Sequence, residues 1–186
     1  MPSLNDTVRV AIISDTHAWL HPAIEQLIKQ CDIAIHAGDI CNADILKAMQ
    51  PRCGQVIAVR GNNDHPGAWP EHQRKIVASL PKVASLSLPG GMVIIEHGHE
   101  HDMHCPEHED LRQAHPQARM VVYGHTHRKV IDDFRHPWVV NPGAAGNIRN
   151  RGGASCLILN ASESLWKLDS YRFDDYAENT QAATAA

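Results

Sequence analysis

Five times along this 186-residue chain a short apolar run breaks off into residues whose side chains carry oxygen or nitrogen donors. The first instance is Val8-Arg9-Val10-Ala11-Ile12-Ile13, followed by Ser14-Asp15-Thr16-His17. A β-branched apolar run bounded by polar residues reads as a buried strand. In an extended chain, residues two apart point to the same side. Asp15 and His17 should then converge just past the C-terminal end of that strand, where α/β proteins place their ligands. The second run ends in Gly38-Asp39 and the third in Gly61-Asn62-Asn63-Asp64. The fourth ends in His97-Gly98-His99 and the fifth in Gly124-His125-Thr126-His127.

The segments between these runs set the class. Pro22 can open a helix whose Ile24, Leu27, Ile28 and Cys31 share one face. A second short helix over Ala43 to Met49 is stopped by Pro51. Strand, helix, strand, helix, strand is a parallel α/β unit. Residues 65–75 read as a surface loop, with Trp69 exposed as a contact surface. The second half reads as β-rich: a hairpin over Val83 to Glu96, a helix over Pro106 to His115, and strands over Arg119 to Tyr123, Lys129 to Phe134 and Trp138 to Val140. Ala154 to Leu159 and Leu165 to Phe173 close the pattern. No linker or repeat divides the chain, so we expect a single domain over residues 1–173 and a flexible tail over 174–186.

Composition narrows the function classes. The formal charge of −4 does not favour strong binding to a nucleic-acid polymer. No apolar run resembles a signal peptide or a membrane span. Five scattered cysteines, never Cys-x-x-Cys, read as reduced thiols in a cytoplasmic protein. Histidine, at fourteen, is the unusual count. Composition does not choose between a monomer and a homo-oligomer.

Singly, each donor has an ordinary explanation. Asp15 or Asp39 could cap a helix, Asn62 could tolerate left-handed backbone in a turn, and His97 could be a hydrogen-bonded core histidine. Jointly, mixed Asp, His and Asn donors suit first-row divalent metals. In order, Asp-x-His, Gly-Asp, Gly-Asn-x-Asp, His-Gly-His and Gly-His-Thr-His resemble the calcineurin-like metallophosphoesterase superfamily. The short chain, the lack of a cap domain and Asn141-Pro142-Gly143 resemble its small prokaryotic phosphodiesterase branch. The resemblance spans Asp15 to about Gly143.

That resemblance implies an α/β fold of two sheets in a β-sandwich flanked by helices. It implies two divalent ions, manganese foremost, with iron, nickel and zinc also suited. Asp15, His17 and His127 would hold one ion, Asn62, His97 and His125 the other, and Asp39 would bridge them. The implied enzyme is a hydrolase of phosphoric diesters that attacks a small substrate with a hydroxide between the two metals. Three further residues are candidates for catalysis: Asn63, Asp64 as an acceptor that fixes the loop, and His99 toward the substrate phosphate. Many family members carry histidine where this chain has Asn63. Asn63 can donate a hydrogen bond but cannot deliver a proton, which favours substrates with good leaving groups. Cys41 reads as packing and His36 as a buried structural histidine. Arg149 and Arg151 could clamp an anion or lie on a loop surface, and the histidines from His99 to His115 could be a solvated face or a further metal site. Two other readings remain: a phosphomonoesterase, or a protein-interaction scaffold, as in a eukaryotic retromer subunit that resembles this branch.

Overall fold

The structure is a computed structural model that describes residues 7–174. Apart from Asp174, the expected flexible tail lies outside the described residues. Among them, two five-stranded sheets carry the fold. The first sheet contains β1 (Val8–Ile13), β2 (Ile33–His36), β3 (Gln55–Ala58), β9 (Ala154–Ala161) and β10 (Trp166–Phe173), in the order β10-β9-β1-β2-β3. The second contains β4 (Val83–Leu88), β5 (Gly91–Glu96), β6 (Met120–Val122), β7 (Lys129–Asp132) and β8 (Trp138–Pro142), in the order β4-β5-β6-β8-β7. Within the first sheet β1, β2 and β3 are parallel, and within the second β5, β6 and β8 are parallel. Antiparallel pairings flank these units: β9 on β1 and β10 on β9 in the first sheet, whose edges are β10 and β3, and β4 on β5 and β7 on β8 in the second, whose edges are β4 and β7.

The period of two in each strand explains the layering. Val10 and Ile12 of β1 and Val93 and Ile95 of β5 meet in one apolar cluster between the sheets. Ala11 and Ile13 face the other way, onto Ile24 and Ile28 of α1 (Pro22–Ile28), Ile45 of α2 (Ala43–Ala48) and Val77 of α3 (Arg74–Ser79). Leu111 of α4 (His108–Ala114) covers Val121, Tyr123 and Val139 on the outer face of the second sheet. The result is helix, sheet, sheet, helix. Full burial of one such aliphatic side chain stabilises by about 1.5–3 kcal/mol, so the core can hold irregular loops at its rim.

Two expectations need correction. Residues 65–75 are not simply a surface loop: a 3-10 turn, Glu71–Gln73, leads directly into α3. Trp69 is not exposed either. It is 3% accessible, packs in the cluster beneath the helices, and its indole N–H donates to Asp64.

Candidate metal centre

The parallel strands place five loops at the C-terminal ends of β1, β2, β3, β5 and β6, and those loops carry the donor residues. Asp15 and His17 do converge, but not by extended alternation. Asp15, His17, Asp39, His125 and His127 all have left-handed backbone, with φ between 44° and 67°. For residues other than glycine such conformations cost about 1–3 kcal/mol each, and they persist only when the surroundings over-determine them. Here backbone bonds tie the loops together: Asp15 N donates to Gly38 O at 2.9 Å and His17 N to Asp39 O at 3.0 Å. Glycine is required beside the donors. A Cβ on Gly61 would strike the Asp39 carboxylate, and one on Gly124 would lie 2.9 Å from Asp15 Oδ2.

Asp39 sits between two groups of donors. Its Oδ1 is 3.4 Å from His97 Nε2, and its Oδ2 is 3.7 Å from His17 Nε2. On one side, His127 Nε2 lies 3.4 Å from Asp15 Oδ1 and 3.1 Å from His17 Nε2. Ligand atoms of Asp15, His17, Asp39 and His127 all fall within 4.8 Å of one another. On the other side, Asn62 Oδ1 lies 3.2 Å from His97 Nε2 and 3.0 Å from His125 Nδ1.

The outer ring nitrogens are engaged by backbone carbonyls. His97 Nδ1 faces Ala37 O at 2.7 Å, His127 Nδ1 faces Ile148 O at 2.9 Å, and His125 Nε2 faces Met103 O at 2.9 Å. A carbonyl only accepts, so each of these nitrogens carries a proton. In a neutral ring, such as that of His127, the inward nitrogen then presents a lone pair. Both oxygens of Asp15, which is fully buried, have no hydrogen-bond partner. Buried acceptors aimed at one another match cations of positive charge; the donor set fits divalent metals.

The electrostatics agree with that reading. Burial pushes the Asp15 carboxyl up to about 7, with His97 lowering it and Asp39 raising it further. Burial also opposes the charged form of Asp39, but His97 and Asn63 overcome it and hold this carboxyl well below the ordinary range. His97 rises to about 9 despite its burial, through Asp39 and Asp15. Burial lowers His127 to about 4 and also lowers His17. The Cys41 thiol, near His17, is pushed up to about 12 by burial and the nearby carboxylates, so it is no activated nucleophile.

The other candidates divide. Asn63 donates from its backbone to Asp39 Oδ1 at 2.9 Å and from its side chain to Oδ2 at 2.6 Å. Asp64 accepts from Ile40 N, Cys41 N, Gly61 N and Trp69 Nε1, joining the loops after β2 and β3. His99 lies beside His97 with ring centroids 5.3 Å apart and the planes tilted by 59°, and it does not line the cleft. His36 is fully buried between Thr16 and Gly38. The cleft, about 320 Å³, is lined by Asp39, Asn63, His104, Thr126, Arg149 and Arg151 among others. Arg149 and Arg151, left open between two roles by sequence, therefore face the site. His104 belongs to the histidine run left open by sequence between a solvated face and a further metal site, whereas Thr126 was given no role. For Thr126, its place between two donor histidines was the available signal. Asn141, in the Asn-Pro-Gly stretch, donates to Gly124 O at 2.6 Å and so anchors the loop bearing His125 and His127.

Comparison with known proteins adds the lineage. A family model described as the calcineurin-like phosphoesterase superfamily domain matches residues 8–164. Two similar proteins come from Methanocaldococcus jannaschii. A probable metallophosphoesterase is 28% identical over 150 residues, 76% of this chain and 70% of that protein. A phosphodiesterase is 26% identical over 147 residues, 73% of this chain and 83% of that protein. Among solved structures, a single mutant of Vps29 from Entamoeba histolytica superposes with a TM-score of 0.70 at 16% identity, covering 89% of this chain and 99% of that one. An archaeal phosphodiesterase superposes with a TM-score of 0.63 at 22% identity, covering 88% and 99%. At these identities the structural likeness establishes the fold.

Proposed function

The chain belongs to the calcineurin-like phosphoesterase superfamily, and from that premise we propose that it hydrolyses small phosphodiesters with two divalent cations. The observation that carries the reading is the pair of orphaned, fully buried Asp15 oxygens amid inward-facing imidazole nitrogens. Asp15, His17 and His127 would hold one cation and Asn62, His97 and His125 the other. Asp39, with one oxygen toward each group, would be shared. Bound there, the cations supply charge to the phosphoryl oxygens and acidify water enough for attack on phosphorus. Oxygen and imidazole donors together suit manganese, with iron, nickel and zinc as competitors.

The chain's own residues do the remaining work. Arg149 and Arg151 are exposed at the cleft and match an anionic diester, since guanidinium pairs well with phosphate oxygens. A cleft of about 320 Å³ favours small substrates. Asn63 orients Asp39 and can donate a hydrogen bond, but it cannot protonate a departing alkoxide. General-acid help is typically worth ~10²–10⁴-fold, so good leaving groups are preferred.

The test is metal analysis of the purified protein, with turnover of bis-p-nitrophenyl phosphate and p-nitrophenyl phosphate in added manganese. Diester turnover that Asp39→Asn abolishes, together with loss of metal from that variant, is the expected result. Faster turnover of the monoester reassigns the substrate class. Metal binding without turnover of either substrate returns the scaffold reading and overturns this one.

A further inference from the structure

A second cluster of donors lies on the opposite face of β5. Neighbours along a strand alternate in direction: Val93 and Ile95 enter the core between the sheets, whereas Ile94 packs on the α4 side. His97 continues the first series into the candidate metal centre, and Glu96 continues the second, away from it. Glu96 is only 6% accessible. Two histidines from different segments meet it there. His101, in the loop after β5, places Nε2 2.9 Å from Glu96 Oε1. His115, directly after α4, places Nε2 3.6 Å from Glu96 Oε2.

Ligand atoms of Glu96, His101 and His115 all lie within 4.8 Å of one another. Glu96 Oε1 and His115 Nε2 are nonetheless buried without a hydrogen-bond partner. The short approach of His101 is therefore not aligned as a hydrogen bond. A buried carboxylate oxygen without a hydrogen bond is unfavourable, and a cation at the common focus of the three side chains would satisfy it.

We infer that Glu96, His101 and His115 form a further cation site, separate from the phosphoesterase centre, for a transition metal of the zinc class. Two imidazoles and one carboxylate are a zinc ligand set that leaves a fourth position for water. The site joins the end of α4 to the loop from Gly98 to Pro106, and that loop brings Met103 and His104 to the cleft. The inference does not rest on the proposed phosphodiesterase reaction, because none of its three ligands belongs to that centre.

The experiment follows the imidazole nitrogens of the wild-type full chain by long-range proton–nitrogen correlation spectra during a zinc titration. The expected result is a concerted shift of the His101 and His115 Nε2 resonances on zinc binding. Elemental analysis should show that His101→Gln/His115→Gln retains diester turnover but loses one zinc equivalent, with affinity for that equivalent down by more than ~10-fold. Resonances of His101 and His115 that stay fixed in excess zinc would overturn the site and leave the cluster a histidine–glutamate ion pair. If the double variant fails to fold, the wild-type spectra alone decide. Absence of phosphoesterase turnover would not move these nitrogens, so the two readings fail separately.

Discussion

Asn63 grips Asp39 with both of its nitrogens, one bond to each carboxylate oxygen. It is therefore a positioning residue for the Asp39 carboxylate as well as a residue of the cleft lining. Asn63→Ala should lower metal affinity about 10–100-fold, read as a shift in the metal dependence of activity, with much of the rate restored at saturating metal. Asn63→His should raise turnover of a diester with a poor leaving group relative to a good one, by up to ~10²-fold. Equal changes on both substrates would remove the role in protonation argued for this position. His36 shows the other use of a buried histidine. Its Nδ1 accepts from Gly38 N, so Nε2 carries the proton and donates to Thr16 Oγ1 at 2.9 Å. Burial, then the nearby His97, lowers its pKa to about 3. The unfolded chain therefore binds a proton below about pH 6.5 that the native state refuses, and stability falls as pH drops from there toward 3. His36→Asn should cost roughly 1–3 kcal/mol at neutral pH and flatten that acid slope in urea-unfolding midpoints; an unchanged slope would place the acid sensitivity elsewhere. Residue identities at the site were legible because donor types recur after apolar runs. Their geometry was not: Asp15, His17, Asp39, His125 and His127 take left-handed backbone without being glycine, and nothing in a side-chain pattern encodes that.

At the level of elements, Asp64 is what keeps the loops after β2 and β3 in register with one another. Its carboxylate accepts three backbone N–H groups, from Ile40, Cys41 and Gly61, and the indole of Trp69. Asp64→Ala strands those buried donors and should destabilise by at least about 3 kcal/mol, with metal retention falling because Asp39 and Asn62 ride on the same loops. Trp69→Phe removes one donor and keeps the ring, so about 1 kcal/mol is expected. Denaturation curves and bound metal after desalting separate the two variants. Equal, small effects would mean that the loops are held by other contacts. Trp69 also explains why the sequence misled in this stretch. Pro66, Gly67 and Pro70 dominate the local pattern, and α3 is only six residues long, too short to show a full apolar period. The strands were legible as short apolar runs, such as β1 and β6, or as alternating ones, such as β4 and β10, and their ends shifted by only a residue or two, as with Lys129–Asp132 against the expected Lys129 to Phe134.

For the whole molecule, the sequence pattern showed the local pairings, the parallel unit of β1 to β3 and the hairpin of β4 and β5, but not the long-range ones. The order β10-β9-β1-β2-β3 joins the last strands to the first across most of the chain, a pairing set by burying both faces of β1 rather than by local signals. That architecture brings donors from residue 15 to residue 127 into one buried cluster, and the consequence is a strong link between protons, metal and stability. Without metal, His97 keeps its proton up to about pH 9, and burial raises Asp15 to about 7. His97, raised above its ordinary value, stabilises the metal-free fold below about pH 6.5, and that contribution is lost as pH climbs toward 9, at up to about 1.4 kcal/mol per unit. Asp15 loses its share earlier, between about 4 and 7. Cations must displace the same protons, so their affinity rises with pH over this range. The two effects add. Metal bound at 100 times its dissociation constant stabilises by about 2.7 kcal/mol, and at fixed metal concentration this increment should grow from pH 7 to pH 9 while the chelated protein weakens. The gap in Tm between manganese-loaded and chelator-treated protein should thus widen with pH. Calorimetry in buffers of different ionisation enthalpy should show at least about half a proton released per manganese bound near pH 7. A gap that stays constant, with no proton release, would mean that His97 and Asp15 are not where the metals bind.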